Sequence, residues 1–158
     1  MFGDLSQKQI EDVLHHQVIG RVGCHAENMV YVVPISYAYD GQYIYGHTHE
    51  GMKINMMRKN KNICFEVDVL QDMANWQSVI AWGEFEELTD KTERNKALQK
   101  LIDRVLPLIP SETTKLYPDW PFKPKDLNVI KGVVYRILLT KKTGRFENNQ
   151  TPSFLSWG

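Results

Sequence analysis

The chain has 158 residues, 42% hydrophobic and 24% charged, which suits one domain, 1–158, with a real core. Lysine plus arginine equals aspartate plus glutamate at 19 each, so net charge points to neither nucleic acid nor an anionic membrane. No apolar run is long enough to span a bilayer, the start MFGDLSQKQIEDV lacks the pattern of a secretory signal, and Cys24 and Cys64 form no CxxC; a cytoplasmic location with free thiols is the expectation.

Ser6-Gln7-Lys8-Gln9 has the form of a capping box and predicts a helix from about Gln7 to His16, with Ile10, Val13 and Leu14 on its apolar face. Val18 to His25 reads as a short strand and Met29 to Tyr39 as a long one. Pro34 lies inside that long strand. Proline cannot donate to a ladder, so it implies an edge, a bulge or an interrupted pairing that frees backbone groups for a flat heterocycle. Asp40-Gly41 closes a hairpin into a strand from Tyr43.

Next comes strand, turn, short helix and strand: YIYGHTHEGMKINMMRKNKNICFEVDV. Gly51 breaks the first strand, and Met52 to Asn60 predicts about two helical turns. Thr48 offers a hydroxyl and Lys53 sits in the first turn. Free N–H groups at a helix start beside a lysine favour a phosphate; a capped helix with a solvated lysine is the competing interpretation. Trp76 to Glu87 is a further strand. Asp90 with Glu93 caps a helix carrying Ala97, Leu98, Leu101 and Ile102, ending at Pro107. Residues 107–124 hold five of the seven prolines, with Tyr117, Trp120 and Phe122 between them. Val129 to Thr140 is the last strand, and Thr143-Gly144-Arg145 predicts a turn. About six strands in mostly hairpin order argue for a mainly β, antiparallel barrel with flanking helices.

Conventional catalytic groups are scarce. His47-x-His49 places two imidazoles on one strand face, but only Glu50 is near as a third ligand, so no metal is expected. There is no GxSxG, and no carboxylate pair stands out. That absence fits a protein whose cofactor carries the chemistry.

The segments VVPISYAYDGQYIYGHTHEGMKINMMRKNKNICFEVD and WQSVIAWGEFEEL carry a resemblance. They are similar to the FMN-binding split-barrel family of pyridoxamine 5′-phosphate oxidase, near its nitroimidazole-resistance reductases. The resemblance implies a six-stranded split barrel that forms a homodimer with FMN at the interface. By position, Val33, Pro34 and Ile35 would run beside the isoalloxazine. His47 and Thr48 would lie near the ribityl and phosphate end, and Lys53 would pair with the phosphate. Gln77 and Ser78 would reach the cofactor, and Trp120 would cover the ring from the other subunit. Met52 stands where the family often has Arg or Ser, which implies a looser phosphate grip. The tail lacks an Arg-x-His segment, so vitamin B6 oxidation is not expected. The implied activity is electron transfer from NAD(P)H to a small organic acceptor such as a nitro compound. A flavin- or haem-binding protein without turnover, with His47 and His49 as axial ligands in the haem version, is the alternative.

Overall fold

The computed structural model describes residues 1–105 and 126–149. The proline-rich 107–124 segment, with Trp120, lies outside the described residues. The elements are β1 (Phe2–Asp4), α1 (Gln7–His16), β2 (Ile19–Ala26), β3 (Met29–Ser36), β4 (Ala38–Tyr39), β5 (Tyr43–Thr48), α2 (Met52–Lys59), β6 (Asn62–Asp72), β7 (Asn75–Glu87), α3 (Lys91–Val105), a 3-10 turn (Leu127–Val129) and β8 (Val133–Asn148).

The strands form one antiparallel sheet in the order β3-β2-β6-β7-β8-β5-β4, with β1 added to β8. The end strands β3 and β4 are separated in the chain by Tyr37 alone. A sheet whose two ends are joined by one residue must curl until they meet, which makes it a barrel. The described residues hold eight strands rather than six. Two differences account for this. Phe2–Asp4 pairs with Arg145–Glu147, and the expected Met29–Tyr39 strand changes partners at Tyr37. The expected turn at Thr143-Gly144-Arg145 is absent: these residues pair with Ile80, Val79 and Ser78 as β8 continues beyond a register shift at Thr140. Thr143, Gly144 and Arg145 offer no apolar side chain, so this end of β8 has no apolar alternation to reveal the strand.

Alternation fills the barrel. Val22, Cys24, Phe65, Val67, Val79, Ala81, Tyr135 and Ile137 are buried inside it. At roughly 1.5–3 kcal/mol for each large apolar side chain, this row dominates the stabilising side of the fold. The predicted capping box closes α1: Ser6 Oγ accepts from Gln9 N–H at 3.2 Å and Gln9 Oε1 from Ser6 N–H at 2.8 Å. Its Ile10, Val13 and Leu14 cover one barrel opening. Helix α3 packs Ala97, Leu98, Leu101 and Ile102 on the outside of β4, β5 and β8, against Ala38, Tyr45 and Val134. Asp90 Oδ2 accepts from Glu93 N–H at 3.1 Å, as its sequence suggests.

Candidate functional site

The barrel is split where β3 gives way to β4. Ala38 pairs with Tyr45 and Tyr39 with Ile44. Continued backwards, that ladder would set Tyr37 against Gly46, Ser36 against His47 and Ile35 against Thr48. It does not continue: Ser36 and Ile35 pair with Ile19 and Gly20 instead. The outer edge of β3 and the end of β5 therefore diverge as the walls of a wedge. Val33, Pro34 and Ile35 lie on one wall, His47 and Thr48 on the other.

The register shows which backbone groups face the wedge. Tyr37 N–H donates to Val18 O at 3.0 Å. Bonded and non-bonded pairs alternate in an antiparallel ladder, so Ile35 and Val33 spend their backbone bonds on β2. Val32, Pro34 and Ser36 direct theirs to the free edge. Pro34 thus occupies the one kind of position where a missing N–H costs the ladder nothing, and it settles as an edge proline. On β5, Asp40 N–H donates to Tyr43 O at 3.3 Å and Leu139 N–H to Gln42 O at 3.2 Å. The same alternation turns the N–H and C=O of His47 toward the wedge. The result is a row of peptide groups from Val32, Pro34, Ser36 and His47 with no ladder partner among the described residues. Unpaired peptide groups that lose contact with water need another partner.

The wedge opens at the start of α2. The cap residue Gly51 supplies no side-chain acceptor, so the first N–H groups of the helix are left without a cap among the described residues. A Cβ added at Gly51 would meet nothing within 4 Å, so the space over them is open. Lys53 is half-buried in the first turn and has no ion pair or hydrogen bond among the described residues. Burial holds its ammonium below the usual lysine range, and Cys24 pulls weakly the other way. An ammonium kept partly out of water without a counter-ion is suited to an arriving anion.

His47 is more constrained than its sequence suggests. Its Nε2 lies 2.6 Å from Lys131 O. A carbonyl oxygen only accepts, so Nε2 carries the proton. Burial pushes the imidazole below its ordinary range, opposed by the Lys131 bond and assisted by His49, Arg94 and Lys53. The ring is therefore neutral, with Nδ1 left as acceptor. Gly132, at φ +102°, makes the contact possible, since a Cβ there would stand 2.8 Å from Nε2. Behind Gly46 lies Tyr135, whose Cζ would be 2.3 Å from a Cβ at 46. Its hydroxyl is buried and has no partner among the described residues.

A family model described as pyridoxamine 5′-phosphate oxidase matches residues 6–146. The chain belongs to the pyridoxamine 5′-phosphate oxidase family. A relative from Rhizobium meliloti, an uncharacterised protein, is 29% identical over 84 residues, which is 53% of this chain and 56% of that protein. The match thus spans little more than half of that relative's length. An FAD-binding protein from Mesorhizobium loti shares 30% identity over 94% of this chain and 99% of its own, with a TM-score of 0.71. A 5-nitroimidazole antibiotic resistance protein from Bacteroides thetaiotaomicron superposes at TM-score 0.69 with 20% identity, over 92% of this chain and 87% of its own. That identity speaks for the split-barrel fold alone.

Not every expected residue joins the wedge. Ser78 and Gln77 are neighbours on β7 and face opposite ways. Ser78 lies on the outer sheet face, its Oγ donating to Glu66 Oε1 at 3.4 Å. It is three strands from β3, roughly 14 Å away. Gln77 lines a separate groove with Gln9 and Val69 under α1. Two features escape sequence reasoning. Ser36 contributes edge groups only because the ladder of β4 with β5 does not continue back to it. Arg58 donates to both Glu50 and Glu87, 29 residues on, a link that no local pattern reveals.

Proposed function

We propose that the wedge binds FMN, with the isoalloxazine edge along the unpaired peptide groups of β3 and β5 and the phosphate at the start of α2. The observation that carries this reading is the continuity of the two halves: a polar backbone row runs into an open helix start that carries Lys53, a lysine without an ion pair among the described residues. Pro34 C=O is the contribution of the Val33-Pro34-Ile35 segment to that row, while Val33 and Ile35 hold the edge in place. Thr48 and Lys53 take the phosphate end. Lys53, which has no ion pair among the described residues, would take one phosphate group; FMN carries one, which favours it over the dinucleotide named for the Mesorhizobium relative. His47 Nε2 is occupied by Lys131 O, which favours flavin over a haem held by that nitrogen.

Partnering follows from the outer sheet face. Val30 (71% exposed), Val32 (64%) and Trp82 (39%) lie there, and with Arg21, Cys64 and Glu66 they line a groove of about 520 Å³. Exposed apolar area of this kind marks an association surface. A second copy seated on it would form the homodimer and bring its Ser78 toward the wedge across the interface. Two free cysteines support a reducing, cytoplasmic setting.

When bound, the flavin supplies hydride and single-electron chemistry. The protein orients the ring through the backbone row, anchors the phosphate and screens the site from water. NAD(P)H is the proposed donor and a small nitro or other organic compound the acceptor. The test is anaerobic mixing of the FMN-loaded protein with NADH or NADPH, followed by a nitroimidazole. Bleaching of the flavin band by a donor and its return with the acceptor is the expected result; no bleaching by either donor removes the enzyme reading.

A further inference from the structure

We propose that Arg58 is a positioning residue for the phosphate end of the cleft, and that it acts by holding Glu50 away from the start of α2. The proposal rests on the phosphate reading above. Glu50 immediately precedes the cap residue Gly51 and stands three residues before Lys53. A carboxylate at that point offers the same chemistry as a phosphate: anionic oxygens for the free N–H groups of the first turn and for the unpaired ammonium. Its side chain is 65% exposed and has room to swing.

It does not lie over the helix start. Arg58 Nη1 donates to Glu50 Oε2 at 2.7 Å and Nη2 to Glu50 Oε1 at 2.9 Å, a two-pronged grip. Arg58 is six residues beyond Met52, about 9 Å along the helix. Glu50 is therefore drawn back along the flank of α2. The guanidinium is itself fixed, since Nε donates to Glu87 Oε2 at 3.0 Å and Nη2 to Glu87 Oε1 at 2.6 Å at the end of β7. Single exposed ion pairs add little to stability, whereas a two-pronged grip shared by two carboxylates also ties α2 to the end of β7. The same grip keeps Glu50, three residues before Lys53, off the ammonium.

The experiment is a fluorescence titration of FMN, with riboflavin as the phosphate-free control, on the wild type, Arg58→Ala, Glu50→Gln and the double variant. Arg58→Ala is expected to weaken FMN about tenfold, in the upper range for a charge at a helix start, and to leave riboflavin unchanged. The loss should shrink in high salt. The double variant should bind FMN within about twofold of wild type, because no carboxylate remains to compete. Glu50→Gln alone should match wild type. The proposal is overturned by unchanged FMN affinity in Arg58→Ala, by a loss that persists in the double variant, by an equal loss for riboflavin, or by much tighter FMN binding in Glu50→Gln. Should Arg58→Ala fail to fold, Arg58→Lys serves: it keeps a charge near Glu87 but gives up the two-pronged hold, and the same pattern with a smaller loss is expected. A wild type that binds riboflavin and FMN equally would instead strike the phosphate reading itself, and the clamp with it.

Discussion

Replacing Lys53 with methionine separates ligand anchoring from folding. Methionine keeps an apolar stem against the barrel and removes the charge. In the ligand-free protein that charge has no partner among the described residues, and burial already holds it below the usual lysine range. Its removal is therefore expected to leave the melting temperature unchanged or slightly raised. In the FMN complex the same ammonium makes a charge-assisted hydrogen bond to phosphate, worth about 1.5–3 kcal/mol. Losing it lowers FMN affinity by roughly ten- to a hundredfold. Flavin fluorescence titration alongside a thermal melt reads both quantities. Riboflavin, which has no phosphate, should bind the variant and the wild type alike. Unchanged FMN affinity, or equal losses for FMN and riboflavin, would refute the placement of the phosphate at α2.

Three other outcomes follow from particular residues. Burial depresses the His47 imidazole from its ordinary 6.5, so the unfolded chain takes up the proton first as the medium is acidified. The stability this residue contributes is complete above 6.5 and is lost as pH falls toward the folded value. Denaturant unfolding at about pH 7.5 and about 5.5 should show a larger loss in wild type than in His47→Gln; equal losses would contradict it. Tyr135→Phe removes a buried hydroxyl with no partner among the described residues, so it is expected to raise the melting temperature, by as much as about 1–3 kcal/mol of stability; a fall would show that the hydroxyl has a partner. Val32→Glu puts a charge on the exposed apolar sheet face, where it should leave the fold intact and halve the mass seen by light scattering; an unchanged dimer would move the interface elsewhere.

Much of the fold is legible because it is local. The Ser6 capping box, the two-residue alternation of β7 and the start of α2 at Gly51 each depend on a few adjacent residues, and each forms as its pattern suggests. The residues proposed for the phosphate end, Thr48, Gly51 and Lys53, are likewise close in sequence. The wedge is not local. It exists because residues 29–36 take their register from β2 while residues 38–39 take theirs from β5, and no window of sequence contains both pairings. Pro34 hints at an edge but not at which edge, and it cannot show that Val33 and Ile35 face inward to the ladder. The face of Ser78 follows from alternation, but its distance from β3 depends on strand order. Arg58 is hidden for the same reason, since half of its grip is on a strand end 29 residues away. The end of β8 was obscured by composition instead, a polar strand that borrows its apolar cover from neighbours.

The most direct test of the central claim is an absorbance titration of the purified protein with FMN, with riboflavin in parallel and the mass recorded for each. The cleft as described requires saturable binding of one FMN per chain with a shifted flavin band, tighter than riboflavin by roughly ten- to a hundredfold, on a dimer. A spectrum equal to the sum of protein and free FMN, or no preference for the phosphorylated flavin, would contradict it.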